Sequence, residues 1–240
     1  MAGVLMGRAI IVTGVSHDGQ VGQAVARALA AEGASLAVVA RTRENVEARA
    51  RDIRETGAVV LPLAADLTDE AQVRDVVERA MAQFQKIDVL VNLAGGLTRY
   101  KPATEHTLAD WEYEIANNLK TAFLCAREVF PRMRTAGGGS VINFARTGLP
   151  QANMVAYNCA KAGVEALTRT LALEGRDANI RVNAIAPGLV DTRSNIEAMK
   201  PKDTSRWTRR EDLARVAVFL ASDASRGITG QGITVAGWGI

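Results

Sequence analysis

The sequence is poor in cysteine, and its charges nearly cancel. Only Cys125 and Cys159 occur among the 240 residues. The sequence has no CxxC motif, and its two histidines are not closely spaced. We therefore expect reduced thiols and no metal site. The 29 basic and 26 acidic residues give a net charge of +3 and are scattered along the chain. This excess is too small to indicate binding to nucleic acid.

The sequence also has no long apolar run. No stretch approaches the ~18 apolar residues that a membrane-spanning helix needs, and Met1 to Arg8 lack the basic start and the cleavage site of a signal peptide. We therefore expect a cytoplasmic protein that has no membrane partner. Hydrophobic residues make up 48% of the chain, which is enough for a full core and unlike the composition of disordered proteins.

Short apolar runs alternate with stretches whose apolar residues recur every three to four positions. Strands that are apolar throughout, each followed by a helix, are typical of a parallel sheet covered on both faces. The sequence therefore predicts a single doubly wound α/β domain over residues 1–240. Its apolar runs, the predicted strands, span residues 9–12, 35–40, 58–63, 89–92, 140–144, 181–186 and 233–235. The clearest predicted helix carries the stripe Val73, Val76, Val77, Ala80, Met81 and Phe84.

The least regular segment covers residues 188–210 and follows the sixth predicted strand. Ligands of open parallel sheets bind outside the carboxyl ends of the strands. We therefore interpret this segment as a lid over the site. The alternative interpretation is a surface connection without function.

A glycine-rich turn separates the first predicted strand from the first predicted helix. Gly14, Gly19 and Gly22 lie in this turn, with Ser16 and Val21 between them. Such a turn lets the backbone approach a pyrophosphate and directs the helix N-terminus at it. A turn with a purely structural use is the alternative.

Arg41 follows the second predicted strand, where dinucleotide folds usually carry an acid that binds the ribose 2′-hydroxyl. An acid would repel a 2′-phosphate, whereas a guanidinium binds it as a fork. Arg41 therefore favours NADP(H) over NAD(H). In the alternative interpretation, Arg41 and Arg43 are solvated residues of a first helical turn.

Tyr157 and Lys161 are four positions apart in a predicted helix, which places them on one face. A tyrosine with a pKa near ~10 is a poor acid at neutral pH, and an adjacent ammonium would lower that pKa by stabilising the phenolate. The pair is therefore a candidate for proton transfer. A tyrosine that packs on a lysine stem is the alternative.

Taken together in chain order, these motifs resemble the short-chain dehydrogenase/reductase family, and the resemblance covers nearly the whole chain. It is closest to the 3-oxoacyl-carrier-protein reductases, and it implies a Rossmann-type fold and a homotetramer or homodimer. The motifs that carry it are Gly14 to Gly22, Asp66, Asn92-Leu93-Ala94-Gly95, Asn118, Tyr157 with Lys161, Asn183 to Gly188 with Thr192, and Thr229-Gly230-Gln231.

The resemblance also implies roles for individual residues. Asn118 would hold a water on a proton relay to Lys161, and Lys161 would bind the nicotinamide ribose. The further cofactor contacts would be Asp66 and Leu67 at the adenine, Asn92, Ala94 and Gly95 beside the cofactor, and Pro187, Gly188, Val190 and Thr192 at the carboxamide. Two alternatives remain: Asp66 or Thr68 caps the next helix, or Asn92 is a strand-end turn residue.

Two departures from the family pattern stand out. The glycine turn is about two residues longer than the family's usual turn, with Gln20 where a glycine would align. The family serine that binds the substrate carbonyl, about 13 residues before the tyrosine, is missing. Thr147 is the nearby hydroxyl that we expect to replace it, and Arg146 is the alternative donor. Losing such a donor typically costs ~10²- to 10³-fold in rate.

The resemblance implies an NADPH-dependent reductase of a small-molecule carbonyl or of a substrate bound to acyl carrier protein. The enoyl reductase branch has six residues between its tyrosine and its lysine, which would place the tyrosine at position 154. Position 154 is Met, so we set that branch aside. A non-catalytic NADP-binding scaffold or sensor is the alternative, because the serine is missing.

Overall fold

The apolar runs of the sequence form one parallel sheet in the computed structural model, which describes residues 3–148 and 150–238. Met1 and Ala2, at the start of the segment considered for a signal peptide, lie outside the described residues, as do Leu149, Gly239 and Ile240. Within the described ranges seven strands pair in parallel in the order β3-β2-β1-β4-β5-β6-β7. The strands are β1 (Ala9–Thr13), β2 (Ser35–Ala40), β3 (Val60–Ala64), β4 (Val89–Asn92), β5 (Gly139–Phe144), β6 (Ile180–Pro187) and β7 (Gly232–Val235).

Helices connect the strands and cover both faces of the sheet. Side chains alternate across each strand, so that Ile10 and Val12 pack on one face and Ile11 on the other. The first face is covered by α1, α2 and α8, and the second by α3, α5 and α6. The helices are α1 (Val21–Ala31), α2 (Arg43–Arg54), α3 (Glu70–Phe84), α4 (Leu108–Ile115), α5 (Thr121–Thr135), α6 (Val155–Gly175), α7 (Arg193–Met199) and α8 (Arg210–Ala221). The predicted fold class is confirmed.

The predicted helix with the apolar stripe is α3, and Val73, Val76, Val77 and Ala80 are buried in it. Its N-cap is Asp69, whose carboxylate accepts hydrogen bonds from the backbone of the first helical turn. The alternative that Asp66 or Thr68 caps this helix is therefore wrong.

A π-helical turn, Ala116–Lys120, joins α4 to α5. The predicted lid contains α7 and reaches the first residue of α8.

Among the described residues, no helix is long and apolar enough to cross a membrane. The same residues hold no group of three or more potential metal ligands.

Candidate active site

A cleft of about 410 Å³ opens at the carboxyl ends of the first strands. Nine of the residues predicted to bind the cofactor line it, namely Gly14, Ser16, Val21, Gly22, Arg41, Asp66, Leu67, Ala94 and Gly95. Further residues that no sequence motif indicated also line the cleft, and they include His17, Gln20, Thr42, Asn45, Asn117, Thr121 and Ser194. The position and the lining of this cleft fit a dinucleotide.

The glycine turn brings the start of α1 to the cleft. Gly14 has φ +77°, and a Cβ there would come within 2.9 Å of the backbone of Leu93 and Ala94, so a side chain would separate the turn from the loop after β4. The first turn of α1 has no acidic residue, and its N-cap, Gln20, makes no side-chain cap hydrogen bond with any described residue. The N–H groups of this turn are therefore suited to an anion.

The extra length of the glycine turn is used in contacts with α7, inside the predicted lid. The backbone N–H of Arg193 donates to the Gly19 carbonyl at 3.0 Å, and the Arg193 guanidinium donates to the Asp18 carboxylate. The Ser194 hydroxyl lies 3.3 Å from the Gln20 side-chain oxygen. Gly19, a predicted cofactor ligand, thus contacts α7 and is not among the described residues that line the cleft.

Arg41 lies exposed at the rim of the cleft, directly after β2. Its Nη1 donates to the hydroxyl of Tyr113 on α4 at 3.3 Å. That hydrogen bond and the charge of Asp66 raise the pKa of Arg41. The guanidinium of Arg99 stacks over the Tyr113 ring, 4.6 Å from its centroid. Tyr113 therefore holds Arg41 at the cleft, a role that the sequence analysis missed.

Asp66 and Asn92, two predicted cofactor residues, occupy different environments. Asp66 is exposed after β3 and accepts hydrogen bonds from the backbone and hydroxyl of Thr68. Asn92 ends β4 in the interior, where its Nδ2 donates to Asn143 Oδ1 at 3.0 Å and to the Ala122 carbonyl at 3.3 Å. Asn92 therefore braces β4 against β5 and α5, and it is not a turn residue at the strand end.

Tyr157 and Lys161 lie together on the first turns of α6, as the spacing predicts. The Lys161 Nζ is 5.7 Å from the centroid of the Tyr157 ring. It donates to the Phe144 carbonyl at the end of β5, at 2.8 Å. Lys161 is buried, and this burial lowers its pKa to about 8, against the charge of Glu114, which raises it. The pair thus places a buried ammonium next to a partly exposed tyrosine at the carboxyl end of the sheet.

The direction of the Tyr157 pKa differs from the expected one. Burial has the largest effect and raises the pKa of Tyr157; the charge of Arg146 lowers it, and that of Glu114 raises it. The expectation that Lys161 lowers this pKa is therefore wrong here. The physical reason is that desolvation of the phenolate dominates, and that the opposing positive charge comes from Arg146.

Asn118 lies in the π-helical turn between α4 and α5, beside the loop after β4. Its Oδ1 accepts from the Gly96 N–H at 2.9 Å, and its Nδ2 donates to the Gly96 carbonyl and to Glu114. A Cβ at Gly95, where φ is +131°, would come within 2.6 Å of the Asn118 Oδ1. The close approach of Asn118 therefore requires glycine at position 95. An amide oxygen has two lone pairs, so Oδ1 retains one acceptor position for a water.

Thr147 and Arg146, the candidates for the missing donor, follow β5. The Thr147 hydroxyl lies 3.4 Å from that of Thr234 on β7, and its backbone N–H donates to the Pro187 carbonyl at 3.2 Å. Arg146 acts electrostatically on Tyr157. Thr147 therefore faces β7, and Arg146 is the candidate whose charge reaches the tyrosine.

The segment predicted to line the carboxamide lies outside the cleft. Pro187, Gly188, Val190 and Thr192 are not among the described residues that line it. Val190 forms an isolated bridge with Thr208, and Thr192 is the N-cap of α7, where its hydroxyl accepts from Asn195. This segment therefore anchors α7.

Two further residues of the site escaped the sequence analysis. The Thr13 hydroxyl accepts from the N–H groups of Leu93 and Ala94 at 2.9 and 3.0 Å and thereby ties β1 to the loop after β4. Glu114 is fully buried and is bonded to Asn118. Its only signal in the sequence is that it precedes Asn118 by one helical turn.

Comparison with known proteins identifies relatives along the whole chain. A family model described as enoyl-(acyl carrier protein) reductase matches residues 14–237. The chain is 36% identical over 242 residues to cis-4-hydroxycyclohexanecarboxylate dehydrogenase of Sinomonas cyclohexanicum, with 96% of this chain and 95% of that protein covered. It is 33% identical over 246 residues to the 3-oxoacyl-(acyl-carrier-protein) reductase of Thermotoga maritima, with 97% and 98% covered.

A solved structure agrees with these matches. The structure of 7α-hydroxysteroid dehydrogenase complexed with NADH and 7-oxo glycochenodeoxycholic acid superposes with a TM-score of 0.91 at 29% identity. The alignment covers 98% of this chain and 95% of that one. The likeness therefore extends over the sheet, the cleft and the segment that contains α7.

Proposed function

The chain belongs to the short-chain dehydrogenase/reductase family, and on that premise we propose that it reduces a carbonyl group to an alcohol with NADPH. Membership confirms the resemblance found in the sequence. The chain is an oxidoreductase of alcohol and carbonyl groups that uses NAD(P)(H). The proposal adds the cofactor preference, the direction and the residues that transfer the proton.

The observation that carries the proposal is the pair of Tyr157 and Lys161 at the carboxyl end of β5, where Lys161 is buried and donates to the Phe144 carbonyl. The two side chains share one face of α6, and Asn118 lies next to Gly95 and Asn117, which line the cleft. Desolvation raises the pKa of Tyr157, so its hydroxyl keeps its proton at neutral pH and can donate that proton to a carbonyl oxygen. Lys161 supplies positive charge at the same place.

The residues of the cleft support NADP(H) as the cofactor. When bound, the nicotinamide supplies the hydride. The start of α1 would hold the pyrophosphate, Asp66 the adenine, and Arg41 the 2′-phosphate. Tyr113 presents the Arg41 guanidinium at the rim, and Ala40, the last residue of β2, places no acid there. These features favour NADPH over NADH in this chain.

A donor to the carbonyl oxygen is still needed in place of the family serine. We propose Thr147 for this role, because its hydroxyl has the chemistry of a serine. Its contact with Thr234 is long at 3.4 Å, so that contact would be lost at little cost when the hydroxyl turns to a substrate. Arg146 is the competing donor, and its effect on Tyr157 supports that alternative.

The proposed substrate is a small carbonyl compound or an acyl group on a carrier protein. Two relatives support this range, since one is named for a cyclic hydroxy acid and the other for 3-oxoacyl groups. We further propose a lid at residues 188–210 and a homotetramer or homodimer. We also propose a cytoplasmic location, in which Cys125 and Cys159, both free, would stay reduced.

NADPH oxidation tests the function directly. The purified chain is mixed with NADPH and a panel of β-ketoesters, diketones, quinones and 4-oxocyclohexanecarboxylate, and absorbance at the nicotinamide band is followed. Turnover with at least one carbonyl, abolished in Tyr157→Phe with NADPH binding retained, supports the proposal. NADPH binding without turnover on the whole panel would instead favour a non-catalytic NADP-binding protein.

A further inference from the structure

Glu114 is a carboxylate with no exposed surface, placed beside the proton-transfer residues. Its Oε1 accepts hydrogen bonds from the Thr98 N–H, the Thr98 hydroxyl and the Arg99 N–H, each at 2.7 Å. Its Oε2 accepts from Asn118 Nδ2 at 2.9 Å. All four partners are donors, and an ionised carboxylate is the form that only accepts. The surroundings of Glu114 therefore match a negative charge.

These bonds fix the groups that surround the reaction site. Thr98 and Arg99 belong to the loop after β4, and Asn118 lies in the π-helical turn. Gly96 completes the arrangement, because both its N–H and its carbonyl bond to the Asn118 amide. Glu114 thus holds the Nδ2 end of the Asn118 amide, and Gly96 contacts both ends.

The charge of Glu114 also reaches the proton-transfer pair. It raises the pKa of Lys161, against the larger effect of burial, and it raises the pKa of Tyr157. The other charge that acts on the pair is that of Arg146 on Tyr157, from the segment after β5.

One turn earlier on the same face of α4, Asp110 accepts from Arg99 Nε at 3.0 Å and lies 2.6 Å from Lys101 Nζ. This group carries one negative and two positive charges, so its net charge is positive. Glu114 is therefore the buried negative charge that opposes the desolvation of Lys161.

We infer that Glu114 is a positioning residue of this site, which orients the Asn118 amide and supplies a buried negative charge to the surroundings of the proton-transfer residues. The role of Glu114 in catalysis rests on the proposed function. The effect of its charge on Lys161 does not, because that effect depends only on the folded chain. A merely structural brace would stabilise the loop after β4 without affecting the titration of Lys161.

Direct titration of Lys161 tests the inference without a substrate. The full chain is labelled with [ε-¹³C]lysine, the Lys161 signal is assigned with Lys161→Arg, and its chemical shift is followed between pH 6 and pH 10. We expect a midpoint near the pKa of about 8 in the parent chain. In Glu114→Gln the midpoint should fall by about one pH unit, because the charge is removed and the volume kept.

Two control variants separate charge from structure. Glu112→Gln removes an exposed charge on the same helix and should leave the Lys161 midpoint unchanged. Glu114→Asp keeps the charge and should restore the midpoint to within a few tenths of a pH unit. A Lys161 midpoint in folded Glu114→Gln that equals the parent midpoint would overturn the inference.

The kinetic readout connects the inference to catalysis. With the best carbonyl from the panel, the alkaline limb of the kcat profile for NADPH oxidation should move to lower pH in Glu114→Gln but not in Glu112→Gln. If Glu114→Gln does not fold, the ¹³Cδ shift of Glu114 in the parent decides: an ionised carboxylate at pH 7 supports the inference, and a neutral carboxyl overturns it. A failure of the proposed function would be distinguishable from this. In that case the parent chain would turn over no carbonyl of the panel, while Glu114→Gln would still lower the Lys161 midpoint.

Discussion

Arg41→Ala should weaken NADPH binding and leave NADH binding almost unchanged. Arg41 lies at the rim of the cleft where β2 ends, and its guanidinium is held by the Tyr113 hydroxyl at 3.3 Å. The two cofactors differ only in the 2′-phosphate, so an effect of Arg41 on that group appears in the ratio of the two dissociation constants. The fold is not at risk, because Arg41 is exposed.

The magnitude follows from the environment of the guanidinium. A hydrogen bond to a charged group is worth about 1.5–3 kcal/mol. Solvent screens the exposed Arg41, so we take the lower end, about 1.5 kcal/mol, which corresponds to a roughly tenfold change in affinity. The NADPH dissociation constant should therefore rise about tenfold in Arg41→Ala. The effect should shrink in ~1 M salt, where the Debye length is only ~3 Å.

Nicotinamide fluorescence titrations of the parent chain and two variants measure these ratios. Arg43→Ala is the matched control, because Arg43 begins the next helix and pairs with Glu47 at the surface. It should leave both dissociation constants unchanged. An unchanged NADPH/NADH ratio in Arg41→Ala would refute the role of Arg41, and a changed ratio in Arg43→Ala would assign the 2′-phosphate to that residue.

Thr147→Val should lower kcat by about 10²-fold with little change in NADPH affinity; an unaltered kcat, together with a loss in Arg146→Ala, would transfer the role to Arg146. Lys161→Met should abolish turnover but stabilise the fold below pH 8, because the buried ammonium has a pKa of about 8 against an ordinary value of 10.5. The difference between these two pKa values corresponds to about 3 kcal/mol of unfolding free energy. The gain in stability should vanish above pH 10.5, where the lysine is neutral in the folded and in the unfolded chain. Equal increases of the urea midpoint at pH 7 and pH 11 would contradict this prediction. Light scattering at micromolar concentration should show a dimer or tetramer; a monomer would remove that proposal.

The central strands were predictable because they are buried on both faces and so read as apolar runs, whereas β3 and β7 are only partly buried. The observed limits of the strands differ from the predicted ones by no more than two residues, the largest difference being at β3, which begins at Val60. Val59, the residue before it, is 56% exposed. The apolar character of this residue extended the predicted strand beyond the buried part of the sheet.

The electrostatics of the site were not predictable in the same way. The four-residue spacing of Tyr157 and Lys161 places them on one helix face, but it carries no information on how deeply they are buried. Tyr113 reaches Arg41 across 72 positions of the chain, and Glu114 meets Thr98 across 16. Such contacts arise when distant segments pack together, so local sequence patterns do not encode them.

The order of the strands also has a consequence for how the chain folds during synthesis. β1 is made early, yet it is an interior strand of the sheet, where it pairs on one side with β2 and on the other with β4. Ile10 pairs with Val89, and the Ala9 N–H donates to the Asp88 carboxylate. Until the ribosome has released residues near Val89, one edge of β1 remains open to other chains. The nascent protein is therefore most exposed to aggregation before β4 is made.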